Sequence, residues 1–330
     1  LQVRRNQSFI KEFVIVGFPG LHPDYFGFIA AVMFLVYLCI LIGNAAFLTM
    51  FATNRGLHKP MYVTILNLVV SDVLFSTTTL PKIISRYWFR AGALSFNACF
   101  VQMYLVHYFG NVNAFILLIM AVDRYVAICH PLRYPMLMTK ANICILSATA
   151  WLLGHAVCLM IVIRAYPLPY CAANTIIQCY CDHVSITSLA CTDRALYSVP
   201  AFIFAMVVLL VPLAFIVYSY IAIIVAVFRI ATVQGRLKTL STCTPQLIII
   251  VLYFLPRCFV YLAGNIGITF NADLRIAIIM MYSLLPPMIN PLIYCLRTEE
   301  IKNIVTKGFS QFKLNLKDKW KKMAIKTSMT

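Results

Sequence analysis

The chain has 330 residues, of which 62% are apolar and 11% charged, against about a quarter charged in an ordinary soluble domain. A globule of this size cannot hide so much apolar surface from water, so a cytosolic enzyme and a disordered chain are excluded. Its 27 basic and 10 acidic residues give a formal net charge of +17, which reads as the basic bias of membrane-protein flanks and not as a nucleic-acid footprint; no nucleic-acid partner is expected.

Residues 1–24 are polar, charged and broken by Pro19, Gly20 and Pro23, without an apolar run of the signal-peptide kind. The first apolar stretch is therefore expected to act as its own insertion signal, and Asn6-Gln7-Ser8 is a glycosylation acceptor at Asn6. Five charge-free runs, 25–54, 91–122, 141–163, 195–228 and 276–296, are long enough to cross a bilayer, which takes about 20 mostly apolar residues. Two more runs carry one charge each, Asp72 in 60–81 and Arg257 in 239–272. The sequence thus predicts an all-α membrane protein, a seven-helix transmembrane bundle over 25–296 without repeats. Its spans fall at about 25–54, 60–83, 95–123, 141–163, 196–228, 238–263 and 274–296.

Asp72 lies mid-span, where an ionisable group is costly enough to be read as functional by default. Asn44 in the first span, Asn113 in the third and Asn290 in the last lie at comparable depth. The expected arrangement is a polar cluster with water or a sodium ion, or a hydrogen-bonded staple without an ion; no other cofactor is expected. In the third span His107, Tyr108, Asn111 and Asn113 form a polar stripe suited to a small-ligand pocket between helices. That span ends in Asp123-Arg124-Tyr125, an acid and a base at the membrane edge that can latch a bundle between two states.

The longest loop, 164–194, holds Cys171, Cys179, Cys181 and Cys191 with Pro167 and Pro169, and Cys99 falls on the same side. Five cysteines are an odd count, so at least one thiol stays unpaired and the loop is expected to be a disulfide-tethered lid. Pro212, Pro256 and Pro291 lie within spans and bend them. Arg257 follows Pro256 directly: facing inward it offers a cation to an anionic ligand, and snorkelling outward is the alternative.

After the last span, Ile301, Ile304, Val305, Gly308, Phe309 and Phe312 recur at spacings of three and four among lysines. This predicts an amphipathic helix over about 298–312 on the inner membrane surface, within a tail of 297–330 whose basic end is held near anionic lipid. Basic residues in the loops divide almost evenly between the two sides, and the lysine-rich tail decides for a cytoplasmic C-terminus. The extracellular side then receives Asn6 and the five cysteines, in an oxidising environment. No phosphate loop, HExxH, nucleotide-binding glycine pattern or ring of charged side chains is present, so no enzyme is expected. A transporter calls for repeat symmetry and charges along a continuous path, and the sequence has neither.

Residues 120–134, from Met120 through Asp123-Arg124-Tyr125 to His130-Pro131-Leu132-Arg133-Tyr134, resemble the odorant-receptor signature at the end of the third helix. Similar stretches are Gly43-Asn44, Leu57-His58-Lys59-Pro60-Met61-Tyr62, Leu80-Pro81-Lys82, Ser241-Thr242-Cys243 and Pro286-Pro287-Met288-Ile289-Asn290-Pro291-Leu292-Ile293-Tyr294. The long loop and Phe96-Asn97-Ala98-Cys99 look like the class I branch of that family, within the rhodopsin-like G-protein-coupled receptors. The resemblance implies a multi-pass receptor in the plasma membrane of an olfactory sensory neuron. It implies a small-molecule odorant as ligand and a stimulatory, olfactory-class heterotrimeric G protein as partner, raising cyclic AMP; a non-olfactory receptor for a small metabolite is the alternative.

The resemblance also implies disulfides Cys99–Cys181 and Cys171–Cys191, leaving Cys179 spare. It places the odorant between helices three, five, six and seven, against His107, Tyr108, Asn111, Phe204, Phe254, Arg257, Cys258, Tyr261, Asn265 and Met280. Activation is carried by Asp123, Arg124, Tyr125, Tyr220, Pro256, Asn290, Pro291 and Tyr294. Departures from the family pattern are Pro245-Gln246 after Cys243, Phe254 two residues before Pro256, and Asn113 where many members carry Glu. Val106, where amine receptors have Asp, disfavours an aminergic ligand.

Overall fold

The computed structural model describes residues 10–297, apart from 172, 193–194, 267 and 269, together with 301–304 and 306; at 195–198, 264–266 and 295–297 it describes the backbone alone. Asn6, and all of the expected helix 298–312 except 301–304 and 306, lie outside the described residues. The segment 301–304 is helical, with Ile301 fully buried against the core.

The helices in chain order are α1 (Phe26–Thr53), α2 (Pro60–Trp88), α3 (Phe96–Cys129), α4 (Tyr134–Leu137), α5 (Lys140–Ala165), α6 (His183–Thr187), α7 (Ala195–Phe228), α8 (Val233–Ile266) and α9 (Ala272–Arg297). All but the short α4 and α6 are long and apolar enough to cross a membrane, which makes seven spans among the described residues. Their starts are legible in local chemistry. Pro60 opens α2, the Ser95 hydroxyl accepts from the Ala98 N–H at 3.3 Å to cap α3, and Thr139 accepts from Asn142 at 3.2 Å to cap α5. Phe28, Leu35 and Ile42 on α1 and Phe215, Val217 and Ile221 on α7 point away from the bundle, as hydrocarbon requires of its lining. The central helix is α3, packed against α2, α5, α7 and α8.

One end of the bundle carries a cap not legible in the sequence. Three short strands, β1 (Glu12–Ile15), β2 (Ala93–Ser95) and β3 (Thr175–Ile176), form a sheet in the order β2-β1-β3, antiparallel between β1 and β2 and parallel between β1 and β3. Alternation along β1 buries Phe13 and Ile15 against Phe100, Met103 and Tyr170. The chain then turns at Gly17, with φ at +76°, under the Tyr87 ring, where a Cβ would collide. Tyr87 holds the turn by accepting from the Phe18 N–H at 2.8 Å. Between helices, Gly43 of α1 lets the Pro291 ring of α9 approach so closely that a Cβ would lie 3.2 Å from it.

Two disulfides tie the cap together, Cys99–Cys181 and Cys171–Cys191. Cys179 is a free, buried thiol that surrounding apolar groups push up to about 12. The first disulfide spans 82 residues and joins fully buried sulfurs, whereas the second spans 20 and joins exposed residues. Closing the longer loop constrains the unfolded chain more, by about 1 kcal/mol. Replacing Cys99 and Cys181 together with Ser should therefore lower the thermal denaturation midpoint in detergent more than replacing Cys171 and Cys191; the reverse order would contradict this account.

Candidate functional site

The 177–192 segment is held over the bundle as a lid by contacts to α3. Beyond the disulfide to Cys99, the Gln102 side chain of α3 accepts from the Cys181 N–H at 3.0 Å and donates to the Thr78 carbonyl of α2 at 2.9 Å. Asp182 caps α6 by accepting from the Ser185 N–H at 3.3 Å. The next residue sits on α3 too, its His183 N–H donating to His107 Nε2 at 3.3 Å. A ring nitrogen that accepts is unprotonated, so in this arrangement His107 is neutral with its proton on Nδ1. Burial pushes His183 down to about 4, with His107 adding to the effect and Asp182 opposing it. Burial raises Asp182, against the Ser185 hydrogen bonds and the nearby Arg275 and His183.

Under the lid lies a cavity of about 470 Å³ walled by α3, α5, α7, α8 and α9. Four of the expected ligand contacts line it: His107, Asn111, Arg257 and Tyr261. Arg257 faces inward and does not snorkel. Its guanidinium lies 3.8 Å from the Tyr253 ring centre and 4.9 Å from that of Tyr282, a cation held by aromatic faces. Asn111 donates to Cys158 Sγ at 3.2 Å, and the Tyr253 hydroxyl donates to the Gly110 carbonyl.

Five expected contacts do not reach the cavity, and helix phase is the reason. The lining positions of α8 are 253, 257, 260 and 261, of α3 106, 107, 110, 111 and 114, and of α9 275, 279, 282 and 283. Each set follows the 3.6-residue repeat, so a neighbour one residue on is turned by about 100°. Tyr108 therefore stacks on Tyr104 at 5.6 Å and meets Trp151 edge-on at 5.7 Å. Phe254 is buried in the core cluster, Cys258 packs beside it, and Met280 packs under the cap. Phe204 is turned outward on α7 and is 38% exposed. The side chain of Asn265 lies outside the described residues.

Sequence reasoning missed the lid's contribution, Gln178, Tyr180, Asp182 and His183, and Arg275, Tyr282 and Ser283 of α9. The available signal was adjacency: once Cys181 is pinned to α3, Asp182 and His183 must lie over the helix ends.

Deeper in the bundle, Asn113 donates to one oxygen of Asp72 at 2.9 Å and Asn290 to the other at 2.7 Å. Asn44 does not join them: its amide donates to the Ile40 and Pro287 carbonyls at 2.8 and 3.1 Å, the latter left open because Pro291, four residues on in α9, has no N–H. Asn113 Oδ1 and Asn290 Oδ1, on the two amides bonded to Asp72, and Ser76 Oγ, one turn further along α2, are buried without a hydrogen-bond partner. Buried acceptors beside a carboxylate suit a hard cation or water, so the donor set fits sodium, held by Asp72 with Ser76, Asn113 and Asn290. Arg257 at the cavity lies within electrostatic range of Asp72.

At the end opposite the cap, Asp123 is almost fully buried, accepts from the Tyr134 hydroxyl at 2.9 Å and pairs with Arg124 at 3.1 Å. Arg124 Nη2 also rests on Met61 Sδ of α2. Tyr125 meets His130 at 3.2 Å. Tyr220 and Tyr294 are buried in the adjoining core, the latter against Phe47 at 5.9 Å. No Asp or Glu occurs between 233 and 266, so α8 cannot hold Arg124 by an ion pair.

A family model described as olfactory receptor matches residues 33–312. The human protein named olfactory receptor 2AT4 is 38% identical over 299 residues, covering 91% of this chain and 93% of that one. Human olfactory receptor 10A6 is 34% identical over 304 residues, with 92% and 96% covered. Rat olfactory receptor 1f45 is 33% identical over 302 residues, again covering 92% and 96%.

The depressed His183 makes the lid sensitive to acid. A histidine kept neutral by the fold contributes fully above its unfolded value near 6.5, and the contribution is lost as pH falls toward 4. By pH 5 the loss reaches about 2 kcal/mol. Asp182, raised by burial, pulls the other way, so the comparison belongs in an Asp182→Asn background. There the thermal midpoint should drop between pH 7.5 and 5, and His183→Gln should flatten that drop; an unchanged drop would refute the assignment.

Proposed function

The chain belongs to the olfactory receptor family, and from that membership we propose that it takes an odorant into the cavity beneath the lid and activates a stimulatory G protein, raising cyclic AMP. As a member it is an odorant-binding, G-protein-coupled receptor of the plasma membrane and not an enzyme. The capped end faces outward and the C-terminus lies in the cytoplasm. The observation that carries the reading is the lidded cavity, into which α3, α8 and α9 all present polar side chains.

Odorant contacts on Arg257 and Tyr261 bear on the segment of α8 immediately after its Pro256 bend, while His107 and Asn111 hold the other side of the ligand to α3. A ligand that prefers one spacing of these helices shifts the population toward it. Because no carboxylate on α8 ties it to Arg124, separating the far ends of α3 and α8 costs apolar packing and not a buried ion pair. That movement uncovers Arg124, Tyr220 and Tyr294 for the G protein, with Asp123 and Tyr125 setting the end of α3, and Asn290 and Pro291 shaping α9. Sodium at Asp72 would supply a positive charge that favours the closely packed state.

Arg124→Ala should cut the odorant-driven cyclic AMP rise tenfold or more while surface-tagged protein is retained; a full response would remove Arg124 from coupling. For the cluster, raising sodium should weaken agonist potency in the parent chain and not in Asp72→Asn. Equal sodium dependence in both would leave water as the occupant.

A further inference from the structure

Two opposite charges face the cavity from different walls, Arg257 from α8 and Asp182 from the lid. Neither is neutralised by a bond within the protein. Among the described residues Arg257 has no carboxylate within ion-pair distance, and its Nη1 is buried without a hydrogen-bond partner. Asp182 engages one oxygen in capping α6 and leaves Oδ1 buried and unbonded. Tyr180, Tyr261 and Tyr282 each lie within electrostatic range of both groups, which places the two poles about one shared wall.

A buried charge or acceptor without a partner is costly, and a molecule that brings a complementary group to each removes both costs at once. The charge balance narrows its class. Arg257 and Arg275 both line the cavity, Asp182 is the acid among the lining residues, and both histidines are neutral. The cavity is therefore positive by one unit, which a single negative charge on the ligand cancels. A second cationic group on the ligand would restore the imbalance, whereas a neutral donor satisfies Asp182 Oδ1 without doing so.

We propose that the cavity takes a small carboxylic acid that also carries a hydroxyl, its carboxylate against Arg257 and its hydroxyl donating to Asp182. This rests on the reading of the cavity as the odorant site, and it names the ligand's chemistry.

The test is cyclic AMP in cells displaying the tagged full chain. The probes are straight-chain hydroxy acids of graded length, with the matching plain acids, alcohols and amino acids, and a set of neutral ketones and esters. At the best length the hydroxy acid should be about tenfold or more potent over the plain acid, the alcohol and the amino acid, as a hydrogen bond to a buried charge requires. Arg257→Gln should weaken both acids at least tenfold. Asp182→Asn, which keeps the α6 cap because Asn caps as well as Asp, should erase the advantage of the hydroxyl, so that hydroxy acid and plain acid become equally potent. Surface display of each variant, read by its tag, separates these effects from misfolding.

Hydroxy acids no better than plain acids, or an equal loss for both in Asp182→Asn, would overturn the proposal. A response confined to neutral compounds would overturn it while leaving the odorant cavity in place. Silence to every class from well-displayed protein would overturn the receptor reading, and this proposal with it.

Discussion

The cavity exists because the Cys99–Cys181 disulfide fixes the lid to the first turn of α3. A loop of this polarity has no reason to lie across the mouth of an apolar bundle: its backbone would sooner be hydrated. Tethered at Cys181, it satisfies itself on the protein instead, through Gln102, through His107 and through the α6 cap. The same tether carries β3 to β1, so the N-terminal strand, the lid and α3 form one cap with a shared apolar interior.

Below the cap the controlling constraint is that hydrocarbon offers no hydrogen bonds. A polar group within the bundle must bond to a carbonyl of its own helix, as Thr79 and Ser219 do, or find a partner on another element. The groups of the second kind trace a column from the lid to the far end: His107 and Arg257 with its tyrosines, then Asp72 with Asn113 and Asn290, then Asp123 with Arg124 and Tyr134. Apart from the Arg257–Tyr253 contact within α8 and the Asp123–Arg124 pair within α3, the steps join different helices, or a helix and a loop. Relative movement of helices therefore changes the bonding of the column, and this links the occupancy of the cavity to the end where a G protein would dock. The oxygens left without donors around Asp72 mark the part of the column that the protein alone does not complete.

The seven spans were legible because bilayer thickness sets a length that composition alone reveals. The depth of Asp72, Asn113 and Arg257 was legible for the same reason. Helix rotation was not. Apolar residues surround the inward positions of α3, α8 and α9, so composition does not say which of two neighbours faces the cavity: His107, Tyr253 and Ile279 line it, and Tyr108, Phe254 and Met280, one residue on, turn away. The cap was illegible for another reason: strands of four, three and two residues are too short to carry a period, and their partners lie far away in sequence. Asp182 and His183 stood beside a cysteine whose partner residue-level reading left open, and the family resemblance alone supplied it.

The central claim is that a ligand under the lid moves the far end of α8 away from α3. It is tested most directly by spin labels at Leu132 and Lys238, both exposed, in a chain whose exposed Cys39 and Cys144 have been replaced, with the inter-label distance distribution measured in lipid nanodiscs. The account predicts that an agonist which raises cyclic AMP adds a longer-distance population, and that Arg257→Gln reduces it. A distribution unchanged by saturating agonist would contradict the account.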